Sequence, residues 1–349
     1  MNVKQVIEQT TAWVEQQGRR IPGFCGAHLM GGLLTMPHDA PFPTYRDVDF
    51  NIVVREETHA AETHDVAYNG LILEYSMVSI ARYRSPEDVL ANPELAANLA
   101  VNGILADPHG ILAPLHQTVT QQYAQRRWVL ARCGYEQQVV MQTLEGLCHT
   151  ASPPEAAWLL SSMALFLAGL LAEASLRPPT HRRCLVLLRD VLHAAGRRDL
   201  HEATLQLLGW AHLRRAEVEA YLDDCALAFD RAVAVTRTPV PFQFKLKPHV
   251  RPYIIAGAQE MIDQGYHREA MFWISGFLMF ANSALQADAP DAEKPRFQAM
   301  LDRLVAAMGL STPAAIAGRA REAEVLADAV VAVADALAQQ HAAETLLAV

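Results

Sequence analysis

The run Asp47-Val48-Asp49-Phe50-Asn51-Ile52-Val53-Val54 constrains this chain more than any other segment. Side chains alternate across a strand, so Val48, Phe50, Ile52 and Val54 form an apolar row on one face. Asp47, Asp49 and Asn51 then share the opposite face. Aspartate is a poor strand former, and two at alternate positions call for a reason. Same-face neighbours lie about 7 Å apart along a strand, close enough for two carboxylates to converge on one or two cations. Magnesium favours such oxygen ligands together with substrate phosphates. A strand edge whose acids merely face water gives the same pattern.

Two further features lie on either side of this strand. Glu74 stands inside Gly70-Leu-Ile-Leu-Glu-Tyr-Ser-Met-Val-Ser-Ile80, an otherwise apolar and hydroxyl-bearing run. A carboxylate buried there costs several kcal/mol, on the order of the usual desolvation penalty, unless a cation or hydrogen bonds compensate. Metal binding, or service as a general base toward a hydroxyl, supplies such compensation; the solvated face of an edge strand is the plainer alternative. Upstream, Gly31-Gly32 follows the apolar segment GFCGAHLM. Paired glycines let backbone N–H groups approach phosphate oxygens, and a helix starting just beyond adds a favourable dipole, although most glycine pairs mark simple turns.

The surrounding pattern reads as α+β. A helix is expected over residues 3–17, then strands at GFCGAHLM, DVDFNIVV and LILEYSMVSIARY, a helix opened by Ser85-Pro86 and closing near Gly103, and a short strand ILAD. Apolar spacing of three and four then predicts helices near 111–132, 134–149, 155–176, 181–196, 199–208 and 210–236, with a second helical group from about 252 to the end. The charge-free stretch 156–172 falls short of the ~20 residues a bilayer requires and reads as the central helix of a bundle.

Composition narrows the partners. With 29 Lys and Arg scattered against 38 Asp and Glu, the net charge is -9, and no basic face is available for nucleic acid. Five cysteines, widely spaced and without a CxxC pair, argue against a disulfide framework or a zinc site. The first residues lack a signal-peptide core. A cytoplasmic protein with no membrane and no nucleic-acid partner is the expectation.

An apolar strand, a glycine pair, a loop and Asp-x-Asp on a strand, with a third acid on a later strand, resembles the nucleotidyltransferase superfamily. SPEDVLANPELAANLAVNGILADPHGILAPL is similar to the helix, Gly-x-Leu-x-Asp-Pro strand and glycine turn of bacterial aminoglycoside and lincosamide nucleotidyltransferases. The resemblance covers about the first 130 residues in motif and the next hundred in helical character. It implies a mixed-sheet catalytic domain at 1–130, a helical bundle at 131–240 and a second helical group at 241–349, continuous with the bundle or separate. It makes Asp47, Asp49 and Glu74 the metal-binding and catalytic acids, with Gly31 and Gly32 as the phosphate cradle. The implied cofactor is Mg2+ and the implied co-substrate a nucleoside triphosphate, ATP by family habit. AMP would pass to a hydroxyl of a small molecule, releasing pyrophosphate. A protein-modifying enzyme of toxin–antitoxin type, or a non-catalytic nucleotide binder, are the alternatives. Two departures stand out: Gly32 replaces a serine common in relatives, and the loop to Asp47 lacks their early arginine, which leaves Arg46 or His38 to supply the charge.

Several residues outside that motif carry readings of their own. Lys245, Lys247, His249 and Arg251 alternate in FKLKPHVRPY; they can reach a triphosphate or an anionic acceptor, although a solvated extended connector is the plainer reading. The aromatic and methionine run 271–280 reads as bundle core. Asp107 and His109 read as turn residues, and Asp223 and Asp224 as solvated.

Overall fold

A computed structural model describes residues 1–55 and 62–341; the expected connection through 56–61 and the helical continuation beyond 341 lie outside the described residues. The protein is α+β, with a five-stranded mixed sheet and a helical C-terminal region. Two compact units divide the chain: Met1–Tyr135 with Glu173–Pro179 and Ala336–Val349, and Glu136–Ala172 with Thr180–Asp335. The second takes in helices from both sides of residue 240.

The sheet of the first unit comprises β1 (Phe24–Leu29), β2 (Asp47–Val54), β3 (Thr63–Tyr68), β4 (Leu71–Ser79) and β5 (Ile104–Ala106). Their order is β3-β4-β2-β1-β5, with β2 and β4 parallel and the other pairs antiparallel. Helix α1 (Val3–Gln16) covers one face. It starts with a capping box, Asn2 accepting from the Gln5 amide and the Gln5 side chain accepting from the Asn2 amide. Its buried residues Val3, Val6, Thr10, Trp13 and Val14 recur at helical spacing. They pack on the row Val48, Phe50, Ile52 and Val54, with the Trp13 and Phe50 rings edge-on at 5.6 Å. Phe50 is 1% exposed, and burying one such ring contributes about 2–3 kcal/mol.

The opposite face changes character along its length. On β2 it presents Asp47, Asp49, Asn51 and Val53, and on β4 Ile72, Glu74, Ser76 and Val78, by alternation and register. Only the far end is roofed with apolar side chains. Val53 and Val78 join a core with Tyr83, with Val89 and Leu90 from α2 (Pro86–Leu90), Leu95 and Leu99 from α3 (Pro93–Leu99), and Leu112, Leu115 and Val119 from α4 (Leu112–Gln122). The acidic half lies beyond that roof.

Three expectations are revised. The single helix after Ser85 is two, because Asn92-Pro93 breaks it and Asn92 caps the second helix by accepting from the Glu94 and Leu95 amides. The polar connection before Leu71 contains strand β3, joined to β4 through Asn69-Gly70, whose positive φ values (49° and 79°) suit a two-residue hairpin turn. The helix break expected near residue 133 falls instead at residues 123–125, between α4 and α5 (Arg126–His149), and the charge-free stretch lies within α6 (Pro153–Ala174), as long as the helix expected over 155–176.

The remaining helices are α5 (Arg126–His149), α7 (Cys184–Ala194), α8 (Arg198–Leu207), α9 (Arg215–Val235), α10 (Arg251–Asp263), α11 (His267–Asp288), α12 (Lys294–Ala307) and α13 (Pro313–Ala338). At 22 residues each, α6 and α11 are long and apolar enough to cross a membrane, yet 61% and 67% of their most apolar windows are buried within the protein. Helix α11 packs against α9, α10 and α12, and its Met271, Trp273, Ile274, Phe277 and Leu278 are core. No disulfide joins the five cysteines.

Candidate functional site

Parallel pairing of β2 with β4 sets Asp49 directly beside Glu74. Since paired residues point to the same side, Asp47, Asp49 and Glu74 share the polar half of that sheet face. One carboxylate oxygen from each lies within 4.8 Å of the others, and all three side chains are half-buried. Two oxygens bound to one magnesium at about 2.1 Å stand about 3 Å apart when adjacent and about 4.2 Å when opposite. The observed spread therefore needs only a small closure to hold a hard divalent cation, and an all-carboxylate donor set is the chemistry such a cation selects. A fourth acid, Asp65 on β3, pairs across from Glu74 on the same face and is 2% exposed. The sequence gives little sign of it, because Thr63–Tyr68 is polar and reads as a connection.

The glycine pair does reach these acids. Gly31 follows β1, and the Met30 amide donates to the Asp49 carbonyl at 2.8 Å. Gly31 has φ +66°, and a Cβ there would lie 3.0 Å from Asp49 Oδ2. Its amide, however, is not directed at a ligand: it donates to Asn98 Oδ1 at 2.9 Å. Gly32 is exposed, with open space where its Cβ would be. A five-residue 3-10 segment, Gly31–Thr35, follows β1 and is too short to supply the dipole of a full α-helix. Gly31→Ala is expected to cost about 1–2 kcal/mol from the left-handed backbone alone, and to push the Asp49 carboxylate aside. Denaturant unfolding of the purified variant measures the first effect.

Behind the acids lies a buried polar chain. His28 on β1 pairs with Asn51 on β2, and both are at most 2% exposed. His28 Nδ1 is 3.0 Å from the Leu29 carbonyl and Nε2 is 2.8 Å from the Tyr83 hydroxyl. A carbonyl only accepts, so Nδ1 carries the proton and Nε2 accepts from Tyr83 O–H. The Tyr83 oxygen in turn accepts from Asn51 Nδ2 at 3.3 Å. Burial raises the Tyr83 phenol and lowers the His28 imidazole from 6.5 to about 4, partly opposed by the Leu29 carbonyl. Because the folded value lies below the unfolded one, the unfolded chain takes up the proton first. The stability is complete above pH 6.5 and is lost as pH falls toward about 4. Between pH 7.5 and 5 the loss should be about 2 kcal/mol. His28→Gln should flatten this slope in denaturant midpoints taken at the two pH values.

The other expected residues fall out differently. Arg46 Nη1 donates to Met36 Sδ at 3.4 Å, and its Nε is buried with no hydrogen-bond partner among the described residues. His38 is exposed. The Asp107 carboxylate accepts from the amides of Ile111, Leu112 and Ala113 at 2.8–3.0 Å, capping α4, and His109 is exposed. Asp224, expected to be solvated, is paired with Arg303, whereas Asp223 is exposed.

In the second unit, the extended connector expected around Lys245 is two 3-10 turns, Gln243–Lys245 and Pro248–Val250. Lys245 is buried, its ammonium 4.6 Å from the centroid of the Tyr253 ring, and the Arg182 guanidinium lies 5.5 Å from the same ring. Lys247 and Lys245 both add to burial in lowering the His249 imidazole. These side chains form a mainly cationic cluster, with the Glu260 carboxylate 4.0 Å from the Arg182 guanidinium, rather than a solvated row.

No family model matches the chain, and no curated protein matches it. Among solved structures it is similar to a nucleotidyltransferase-like protein from Exiguobacterium sibiricum 255-15, with 12% identity, 86% of this chain and 91% of that chain covered, and a TM-score of 0.32.

Proposed function

We propose that the first unit is a divalent-cation-dependent nucleotidyl-transfer module. The observation that carries this reading is the convergence of Asp47, Asp49 and Glu74 from two parallel strands beside the close approach of Gly31. Asp47 and Asp49 would hold Mg2+, with Glu74 as third ligand or as the base facing the acceptor. A cation bound there would neutralise triphosphate charge. The acceptor hydroxyl passes its proton to Glu74 as its oxygen forms a bond to the α-phosphorus, and the bond from that phosphorus to the β-bridging oxygen breaks, so pyrophosphate leaves. Positioning and charge neutralisation supply the rate. Arg46, with its buried Nε in want of an acceptor, suits an anionic oxygen of the nucleotide. Gly32 is the glycine whose open surroundings suit a phosphate. Lys245 and Lys247 are proposed as partners of an anionic group, on the strength of the cationic cluster around Tyr253.

The donor we propose is ATP, the group transferred AMP, and the acceptor a hydroxylated small molecule. Pyrophosphate release with each of the four nucleoside triphosphates and Mg2+, across a library of hydroxylated small molecules, tests this. Release with ATP and one acceptor class supports it. Release only with a protein acceptor would replace the small molecule. ATP binding with no release for any acceptor would favour a non-catalytic nucleotide binder, a reading to which the engaged Gly31 amide lends support.

A further inference from the structure

We infer that Asn98, on α3, is a positioning residue for the acidic site, acting through Gly31 on Asp49. The inference rests on the metal reading of Asp47, Asp49 and Glu74 given above.

Asn98 is 7% exposed, and both ends of its side-chain amide are engaged. Nδ2 donates to the Glu94 carbonyl one turn earlier in its own helix, at 2.6 Å. That bond leaves Oδ1 as the acceptor for the Gly31 amide at 2.9 Å, so the orientation of the group is set from both sides. Gly31 is held in the left-handed region, where its α-carbon backs onto the Asp49 carboxylate so closely that a methyl there would meet Oδ2 at 3.0 Å. On the other side of the same turn, the Met30 amide donates to the Asp49 carbonyl. Asp49 is thereby confined along its backbone by Met30 and along its side chain by Gly31, and the position of Gly31 is set by Asn98. A carboxylate free to turn pays rotamer entropy on gripping a cation, whereas one already walled in does not. Gly31 and Asn98 stand 67 residues apart in sequence, so it is the tertiary fold that couples α3 to the acidic site on β2.

The test is Mn2+ affinity measured by electron paramagnetic resonance on the full chain, with the melting temperature of each variant recorded alongside. Asn98→Ala is expected to weaken Mn2+ binding about tenfold or more, the usual effect of losing a group that orients a metal ligand. Asn92→Ala is the control. It removes the cap of the same helix by freeing the Glu94 and Leu95 amides while the Asn98–Gly31 hydrogen bond keeps both its partners, so it should lower the melting temperature and leave Mn2+ affinity unchanged. Asn98→Asp, which keeps an acceptor for the Gly31 amide, should recover much of the affinity lost in Asn98→Ala. Unchanged Mn2+ affinity in Asn98→Ala overturns the inference while the metal reading stands, and so does an equal loss in Asn92→Ala, which would mark the role as purely structural. Failure of the wild-type protein to bind Mn2+ overturns the metal reading itself, and this inference with it.

Discussion

Asp49→Ala should reduce Mg2+-dependent pyrophosphate release by about a thousandfold or more, while the protein folds as before. The size follows from the position of the residue. Asp49 is the middle member of the acidic group, paired across the strands with Glu74 and two residues from Asp47, so its loss breaks the donor set at the centre. The fold should not suffer, because the half-buried Asp49 side chain contributes nothing to the apolar core on the other face. Three like charges this close repel one another by on the order of 1 kcal/mol per pair after solvent screening. In a chelator the variant should therefore melt at or slightly above the wild-type temperature. Added Mg2+ should reverse that order, since a ligand at a hundred times its dissociation constant stabilises the wild type by about 2.7 kcal/mol and the variant by far less. Calorimetry with and without Mg2+ reads both effects, and an Asp49→Ala variant with wild-type turnover would remove the acid from the chemistry.

Arg132→Met should destabilise the first unit by about 3–5 kcal/mol. Arg132 on α5 is fully buried. Its Nε donates to the Glu173 carboxylate on α6, Nη1 to the Leu90 carbonyl at 3.0 Å and Nη2 to the Tyr123 carbonyl at 3.0 Å. The guanidinium also lies over the Tyr123 ring, 4.4 Å from its centroid. Removing it strands a buried carboxylate and two carbonyls together. Burial already raises the Glu173 carboxyl above its ordinary range despite the opposing pull of Arg132. The double variant Arg132→Met, Glu173→Met should accordingly recover most of the loss, because neither charge is then left unpaired. Urea denaturation of the two variants measures both numbers. A single substitution costing under 1 kcal/mol would mean that water reaches the pair.

How much of this was legible in the sequence depended on the range of the interaction. Strand β2 was readable because its alternation is complete within eight residues, and Glu74 because one acid interrupts an apolar run. That these strands lie side by side and in register, with Asp49 beside Glu74, is a property of the parallel pairing, which no local pattern encodes. Strand β3 was missed although Asn69-Gly70 announces its hairpin; Thr63–Tyr68 is polar on an edge, so its hydrophobic signal is weak, and Asp65 went with it. Asn98, Tyr83 and His28 gave no sign of their roles, because each acts through a partner 55 or more residues away, or 32 in the case of Tyr83 with Asn51. A glycine pair suggests amides turned to phosphate, whereas what Gly31 provides is the absence of a side chain beside Asp49. Burial, which only tertiary packing decides, likewise turned Lys245 from a solvated side chain into part of a cluster.

Diffraction from Mn2+-soaked crystals, collected near the manganese absorption edge, tests the metal reading most directly. An anomalous peak bonded to oxygens of Asp47, Asp49 and Glu74 is the expected result. Well-ordered carboxylates with no peak between them at millimolar Mn2+, with or without a nucleoside triphosphate, would contradict it.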